Sequence, residues 1–290
     1  MLRRGSSRDM VMKEALFYEK RQDACVVCGL CPHRCCIVRD GTGLCGARRN
    51  IDGTLFAASY GCISSLAIDP IEKKPLNRFY PGGVILSIGG YGCNMKCAYC
   101  QNHEISQQKP ETKFVPPEEL LRTAKSIAGN IGVAFTYNEP LVGIEYILDT
   151  APLLMDAGLK TVLVTNGMIN DEPLKAILPY TDAMNIDVKA FSEARYKKLG
   201  GDLSIVMKNV ETCASACHVE ITSLIVPGQN DEHDDIRALA GWLAGVSPEI
   251  PLHITRFFPC YRMSAEVPTS ADTVRTLTEE ARKFLKYIYL

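Results

Sequence analysis

Six times between residues 84 and 287 the chain alternates a short apolar run with a stretch of helical periodicity. The runs are "VILSIG" (84–89), "GVAFTY" (132–137), "KTVLVTN" (160–166), "AMNIDVK" (183–189), "VEITSLIVP" (219–227) and "LHITRFF" (252–258). Helical patterns fall near 117–128, 142–157, 171–178, 203–216, 233–245 and 271–287. Alternation of this kind predicts βαβ units and an α/β fold with a parallel sheet. Right-handed crossovers would roll six such units into a partial (βα)6 TIM-like barrel. An open doubly wound sheet is the alternative. The chain divides near Pro81-Gly82-Gly83, which predicts a cysteine-rich N-terminal extension over 1–83, a barrel over 84–265, and a C-terminal helix packed on it over 266–290. Within the extension, Asp9 to Lys20 reads as a helix capped by Asp9. Asn50 to Ser59 reads as a hairpin about Asp52-Gly53, the pair that suits a type I′ turn.

Thirteen cysteines stand in 290 residues. "MLRRGSSRDMVMKEALF" offers no apolar core before Lys13 and Glu14, so no signal peptide is expected. The longest apolar runs are strand-sized, so no membrane span is expected either, and the protein reads as cytoplasmic. In such a compartment many cysteines indicate metal rather than disulfides. They form two groups: six between Cys25 and Cys45, and three at Cys93, Cys97 and Cys100. The net charge of −1 gives no basic field to draw in nucleic acid.

Cys93-x3-Cys97-x2-Cys100 follows the first strand, where barrels of this kind collect their chemistry. Three soft thiolates suit a [4Fe–4S] cubane and leave one iron free for a substrate or cofactor. The competing reading is a zinc knuckle completed by a remote ligand such as His103. In the extension, Cys25-x2-Cys28-x2-Cys31-x3-Cys35 has ferredoxin-like spacing, but Cys36 stands where proline is usual, and Cys45 is a further candidate. Zinc and a second [4Fe–4S] cluster both fit this segment. Asp69 to Pro75 reads as an ordered loop near the barrel mouth that could serve as a lid. His253 and Arg256 face opposite sides of their strand, so only one should line the interior.

The stretch Cys93-Asn94-Met95-Lys96-Cys97-Ala98-Tyr99-Cys100 resembles the CxxxCxxC signature of radical S-adenosylmethionine (SAM) enzymes, with an aromatic residue, Tyr99, before the third cysteine. "CPHRC", "GLCGAR", "DPIEKKPL", "TYNEP" and "NIDVKAF" narrow the resemblance to the AmmeMemoRadiSam-system radical SAM enzymes, which are similar to pyruvate formate-lyase activating enzymes. The resemblance implies a radical SAM barrel. It implies that the open iron chelates S-adenosylmethionine, that the reduced cluster cleaves the sulfonium C–S bond, and that a 5′-deoxyadenosyl radical abstracts hydrogen from a substrate. It places Asn138 and Glu139 where the family binds the cofactor's ammonium, and Thr165 and Asn166 near the ribose. Asp187 and Lys189 match the family's Asp-x-Lys, and Val226 falls at the adenine contact. An acid expected before Thr165 is replaced by Val164, an arginine by Thr222 and a histidine by Tyr261. The implied partners are an electron donor of the flavodoxin or ferredoxin type and Memo-like or Ammecr-like proteins. The class to be weighed against this one is a non-catalytic iron–sulfur or zinc protein that carries electrons or binds a partner.

Overall fold

The computed structural model describes residues 12–290. Its centre is an eight-stranded sheet. In chain order the strands are β1 (Ser65–Pro70), β2 (Val84–Gly89), β3 (Asn130–Phe135), β4 (Lys160–Thr165), β5 (Ala183–Asp187), β6 (His218–Ile225), β7 (Leu252–Arg256) and β8 (Ile288–Tyr289). Each pairs with its neighbour in sequence; β2 to β8 run parallel and β1 is antiparallel to β2. The order never reverses, so the sheet lacks the switch point of a doubly wound fold. Six helices follow β2 to β7 in turn: α1 (Pro117–Ser126), α2 (Ile144–Asp156), α3 (Asp171–Ile177), α4 (Leu203–Ala214), α5 (His233–Val246) and α6 (Ala271–Ala281).

Period-two alternation explains both faces of this sheet. Leu86, Ile88, Val133, Phe135, Leu163, Ile186, Ile221 and Ile254 belong to the large core that the helices cover. The opposite face carries Ile85, Ala134, Val162 and Ala183, which pack with Ile71, Leu76 and Phe79 of the β1–β2 connection. That connection is also tied to the sheet by polar groups. Glu220 of β6 accepts the backbone N–H groups of Asn77 (3.0 Å) and Arg78 (2.7 Å), and Asn185 of β5 donates to the Pro75 carbonyl. One half of the inner face is thereby filled. The half at the carboxyl ends of the strands is left for a cavity.

Several expectations change. The helix expected over 9–20 is replaced, within the described residues, by strands Lys13–Glu14 and Tyr18–Lys20; Asp9 lies outside them. Lys13–Glu14 pairs with Thr54–Ala57, and this long-range ladder outweighs local helical preference. Asp69 and Pro70 are the end of β1, and only Ile71–Lys73 forms a turn. The last helix stops at Ala281, and the chain returns as β8 along β7. The hairpin about Asp52-Gly53 is present as Arg48–Ile51 and Thr54–Ala57, both turn residues having positive φ.

The cysteine-rich segment forms two small three-stranded antiparallel sheets. Val26, Leu30, Ile37 and Leu55 share the large core with the main sheet's residues. Arg48 and Glu145, both fully buried, form an ion pair of 2.5 Å between this segment and α2. Asn170, just before α3, donates to the Gly29 carbonyl and its own N–H reaches the Leu30 carbonyl.

Candidate active site

The cavity at the strand ends has a volume of about 410 Å³. Its walls repeat the inner-face alternation: Val164 from β4, Asp187 from β5, Thr222 and Leu224 from β6. Cys93, Cys97 and Cys100 face it from the loop after β2.

That loop is fixed from several sides. Gly92 donates to the Ile105 carbonyl, Lys96 to Leu199, and Arg262 donates to the Ala98 carbonyl. Met95 is fully buried. Asn138 holds the loop from β3: its Oδ1 accepts the Gly90 N–H (3.0 Å) and its Nδ2 donates to the Gly92 carbonyl (3.1 Å). Asn138 lines the cavity, but its polar atoms are committed to backbone. Burial pushes the Cys93 and Cys97 thiols up, with Glu139 adding to the effect at Cys93. A metal removes such protons outright. No fourth thiol is among the lining residues. Among the described residues no three cysteine, histidine or carboxylate side chains converge on one ion position. Three thiols spread over one wall are a donor set that fits a cubane, in which each thiolate takes a separate iron. His103 stacks on Tyr261 at 4.4 Å, outside this wall, so the zinc-knuckle alternative lacks its fourth ligand.

Glu139 is buried opposite the thiols. Its Oε1 accepts from Thr165 Oγ1 (2.7 Å) and Leu141 N (3.1 Å), and its Oε2 accepts from Asn166 N (2.8 Å). Burial raises its pKa to about 7 in spite of these three donors. Among the described residues, Oε2 has no second donor. Asn166 Nδ2 donates to Asn94 Oδ1 (2.9 Å) and lies 3.6 Å from Cys93 Sγ. Asp187 and Lys189 form an ion pair of 2.7 Å facing the cavity, as residues two apart at a strand end must. Burial alone would lower the Lys189 ammonium, but Asp187, with Cys97 and Tyr99, holds it well above the usual lysine range. Tyr99 is buried on the same wall.

Val226 is elsewhere. It is 1% exposed within the hydrophobic core, and its N–H is taken by Asn230 Oδ1 (2.8 Å). β6 ends at Ile225, so the alternation that brings Thr222 and Leu224 to the cavity stops before Val226. Thr255 and Arg256 line the cavity from the end of β7, while His253 is held deep against Glu220 at 2.6 Å.

Sequence reasoning missed Tyr137 and understated Lys74. Tyr137 has φ of 70°, rare for a side chain of this size. Its hydroxyl donates to Asp69 Oδ2 (2.8 Å), and Lys74, paired with the same oxygen, lies over its ring. Desolvation would raise Asp69, but its bonds with Lys74 and Tyr137 hold it far below the usual carboxylate range. The readable signal was positional, since Tyr137 directly precedes two cavity residues.

The pattern of the Radical SAM superfamily matches residues 87–240, more than half of the chain and all three cavity thiols. The chain belongs to the radical SAM superfamily. Members use a [4Fe–4S] cluster and S-adenosylmethionine, and this protein is a radical SAM enzyme of the SAM-cleaving class. The uncharacterized protein MJ0808 of Methanocaldococcus jannaschii is 42% identical over 289 residues, covering 96% of this chain and 85% of that protein. The pyruvate formate-lyase-activating enzyme of Clostridium pasteurianum is 27% identical over 164 residues, covering 53% of this chain and 67% of the enzyme. In fold, the chain is similar to Streptococcus suis SuiB bound to its precursor peptide SuiA, with a TM-score of 0.52 at 15% identity, covering 69% of this chain and 46% of SuiB. Among the described residues no helix is long and apolar enough to cross a membrane.

Proposed function

We propose that Cys93, Cys97 and Cys100 hold the catalytic cluster and that the cavity they face receives S-adenosylmethionine against Glu139. The observation that carries this reading is the single cavity that joins three thiols to a buried carboxylate whose Oε2 has no second donor among the described residues. Bound there, the cluster and cofactor supply a 5′-deoxyadenosyl radical that abstracts hydrogen from a substrate. The protein's own groups bind and orient. Glu139 accepts the ammonium, a charge-assisted bond in a dry site. Thr165 holds Glu139 in place, and Asn166 fixes the Asn94 side chain beside the Cys93 thiol, with its remaining capacity toward the ribose. Lys189, held protonated by Asp187, keeps a fixed ammonium beside the thiols. Tyr99, Val164 and Leu224 shield the site from water, and Leu224 takes the adenine contact expected of Val226.

The same reading treats the sheet as a partial (βα)6 TIM-like barrel carrying a cysteine-rich metal-binding extension. The division falls at 1–83, 84–265 and 266–290, except that β1 and β8 join the barrel's sheet, β1 along the whole length of β2 and β8 beside β7. Cys25, Cys28, Cys31, Cys35 and Cys45 supply candidate ligands for a second metal, zinc or [4Fe–4S]. A flavodoxin- or ferredoxin-type donor reduces the enzyme, Memo-like or Ammecr-like proteins are its candidate partners, and it works in the cytoplasm.

Anaerobic reconstitution with iron and sulfide, then reduction in the presence of S-adenosylmethionine, tests the function. The expected product is 5′-deoxyadenosine, resolved by chromatography. Its complete absence from protein with a full cluster would remove the catalytic reading.

A further inference from the structure

The six thiols of residues 25–45 are not equivalent. Cys28, Cys31, Cys35 and Cys45 line one small closed cavity. Cys25 and Cys36 turn away from it: their Sγ atoms lie 2.8 Å apart, and Cys36 is exposed. Strand alternation makes the division, since Cys35 and Cys36 are adjacent and must point to opposite sides. Leu30, Ile37, Leu44 and Val142 supply apolar walls between the thiols, and His33, Arg48 and Asn94 supply polar ones. The four thiols stand around its walls and do not converge on one point. A mononuclear zinc needs four thiolates at about 2.3 Å from a common centre. A cubane takes one thiolate at each iron corner and fills the space between them.

The cavity abuts the catalytic loop. The Cys93 N–H donates to the Cys45 carbonyl at 3.1 Å, so a residue of the three-thiol loop and a residue of the four-thiol cavity are joined by a single backbone hydrogen bond. Gly92 has φ of +92°, and a Cβ there would stand 2.5 Å from the same carbonyl oxygen. Only glycine lets the two loops touch. Asn94 lines the four-thiol cavity, its carbonyl bonds His33 Nε2 at 2.7 Å, and its Oδ1 accepts from Asn166 beside Cys93.

We infer that Cys28, Cys31, Cys35 and Cys45 bind a second [4Fe–4S] cluster that relays electrons into the catalytic cluster across the Cys45–Cys93 contact. The inference rests on the assignment of Cys93, Cys97 and Cys100 to the catalytic cluster. Four thiolates occupy every iron corner, so this cluster has no position for S-adenosylmethionine and is left with electron transfer. A reduced donor of the flavodoxin or ferredoxin class loses one electron to it, and the catalytic cluster gains that electron. No bond is made or broken and no proton moves in the transfer.

Metal and sulfide analysis with electron paramagnetic resonance tests this on the full chain. The reconstituted protein should hold about eight irons, and Cys93→Ala with Cys97→Ala and Cys100→Ala should halve this to about four, with four sulfides. Cys31→Ser with Cys45→Ser should remove the other half. In the fully reduced unmutated protein, the spectrum should be split by magnetic coupling between neighbouring clusters, and the triple variant should lose the splitting. This measurement on the unmutated protein stands even if a variant fails to fold. One zinc per chain in the triple variant, or no metal, overturns the second cluster. Two clusters without coupling overturn the relay. Failure to form 5′-deoxyadenosine would instead count against the catalytic reading, because iron content and coupling need no turnover.

Discussion

Cys93, Cys97 and Cys100 face a cavity of about 410 Å³ shared with Glu139, Lys189 and Asn166, whereas Cys28, Cys31, Cys35 and Cys45 face a closed one walled by Leu30, Ile37 and Val142. The first set offers three thiols beside a roomy polar cavity, the second four thiols in a small pocket of mixed lining that includes His33, Arg48 and Asn94. An incomplete donor set beside hydrogen-bonding groups leaves room for a ligand; a complete set in a small pocket leaves room only for the cluster itself. Ligand count and surroundings therefore separate chemistry from support more sharply than cysteine spacing does.

The hardest blow to this comparison would be its failure under deletion of the open set. Cys93→Ala with Cys97→Ala and Cys100→Ala should abolish S-adenosylmethionine cleavage and leave the closed set's metal in place. Cleavage that survives, read as 5′-deoxyadenosine, would show that the open cavity is not the reacting one.

A smaller effect is expected at Arg48, which lines the four-thiol cavity and joins its segment to α2. Arg48→Ala leaves the buried Glu145 carboxylate without its guanidinium. Breaking such a pair costs about 3–5 kcal/mol. Anaerobic denaturant melts should register this loss; a loss under about 1 kcal/mol would mean that the segment is not fastened to α2 by this pair.

The finest distinction concerns Glu139. Glu139→Gln should lower S-adenosylmethionine affinity about ten-fold by calorimetry, the worth of one charge-assisted bond, without changing iron content. Because burial raises Glu139 to about 7, the folded protein holds a proton there that the unfolded chain releases at its ordinary value of 4.5. Stability contributed by that proton is present below 4.5 and is lost as pH rises through about 7. Cofactor binding has the opposite slope: the ammonium needs the carboxylate, so affinity should rise with pH and level off above about 7. A pH dependence that persists unchanged in Glu139→Gln would assign it to another group.

Strands β2 to β7 were legible because they are largely buried on both faces and read as apolar runs; β2 spans Val84–Gly89 as the pattern indicated, whereas the half-buried two-residue β8 was missed. Strand β1 was not. Its Leu66 and Ile68 are exposed, and Asp69 and two prolines gave it the look of a loop, which is how an edge strand hides. Lys13 to Lys20 was misread because its two short strands take their order from pairing, Lys13–Glu14 with the distant Thr54–Ala57 and Tyr18–Lys20 with Val26–Cys28. Cys93, Cys97 and Cys100 stood out as a group since their spacing is local, and the matched family pattern spans all three. Which four of the six N-terminal thiols belong together was not, because it depends on which side of a short strand Cys35 and Cys36 present. Glu139, Asp187 and Lys189 were placed by the ends of strands, and Val226 was misplaced by the same reasoning because β6 stops one residue earlier.

The contact between Gly92 and the Cys45 carbonyl also limits how the protein can be rebuilt. With 2.5 Å available, neither loop has slack to accept a foreign neighbour. A chimera that borrows residues 90–106 from a relative inherits a backbone shaped against someone else's residues 43–48. The two segments are a single transplantable part, though they lie far apart in the chain, and an exchange that carries only one of them should fail at the seam.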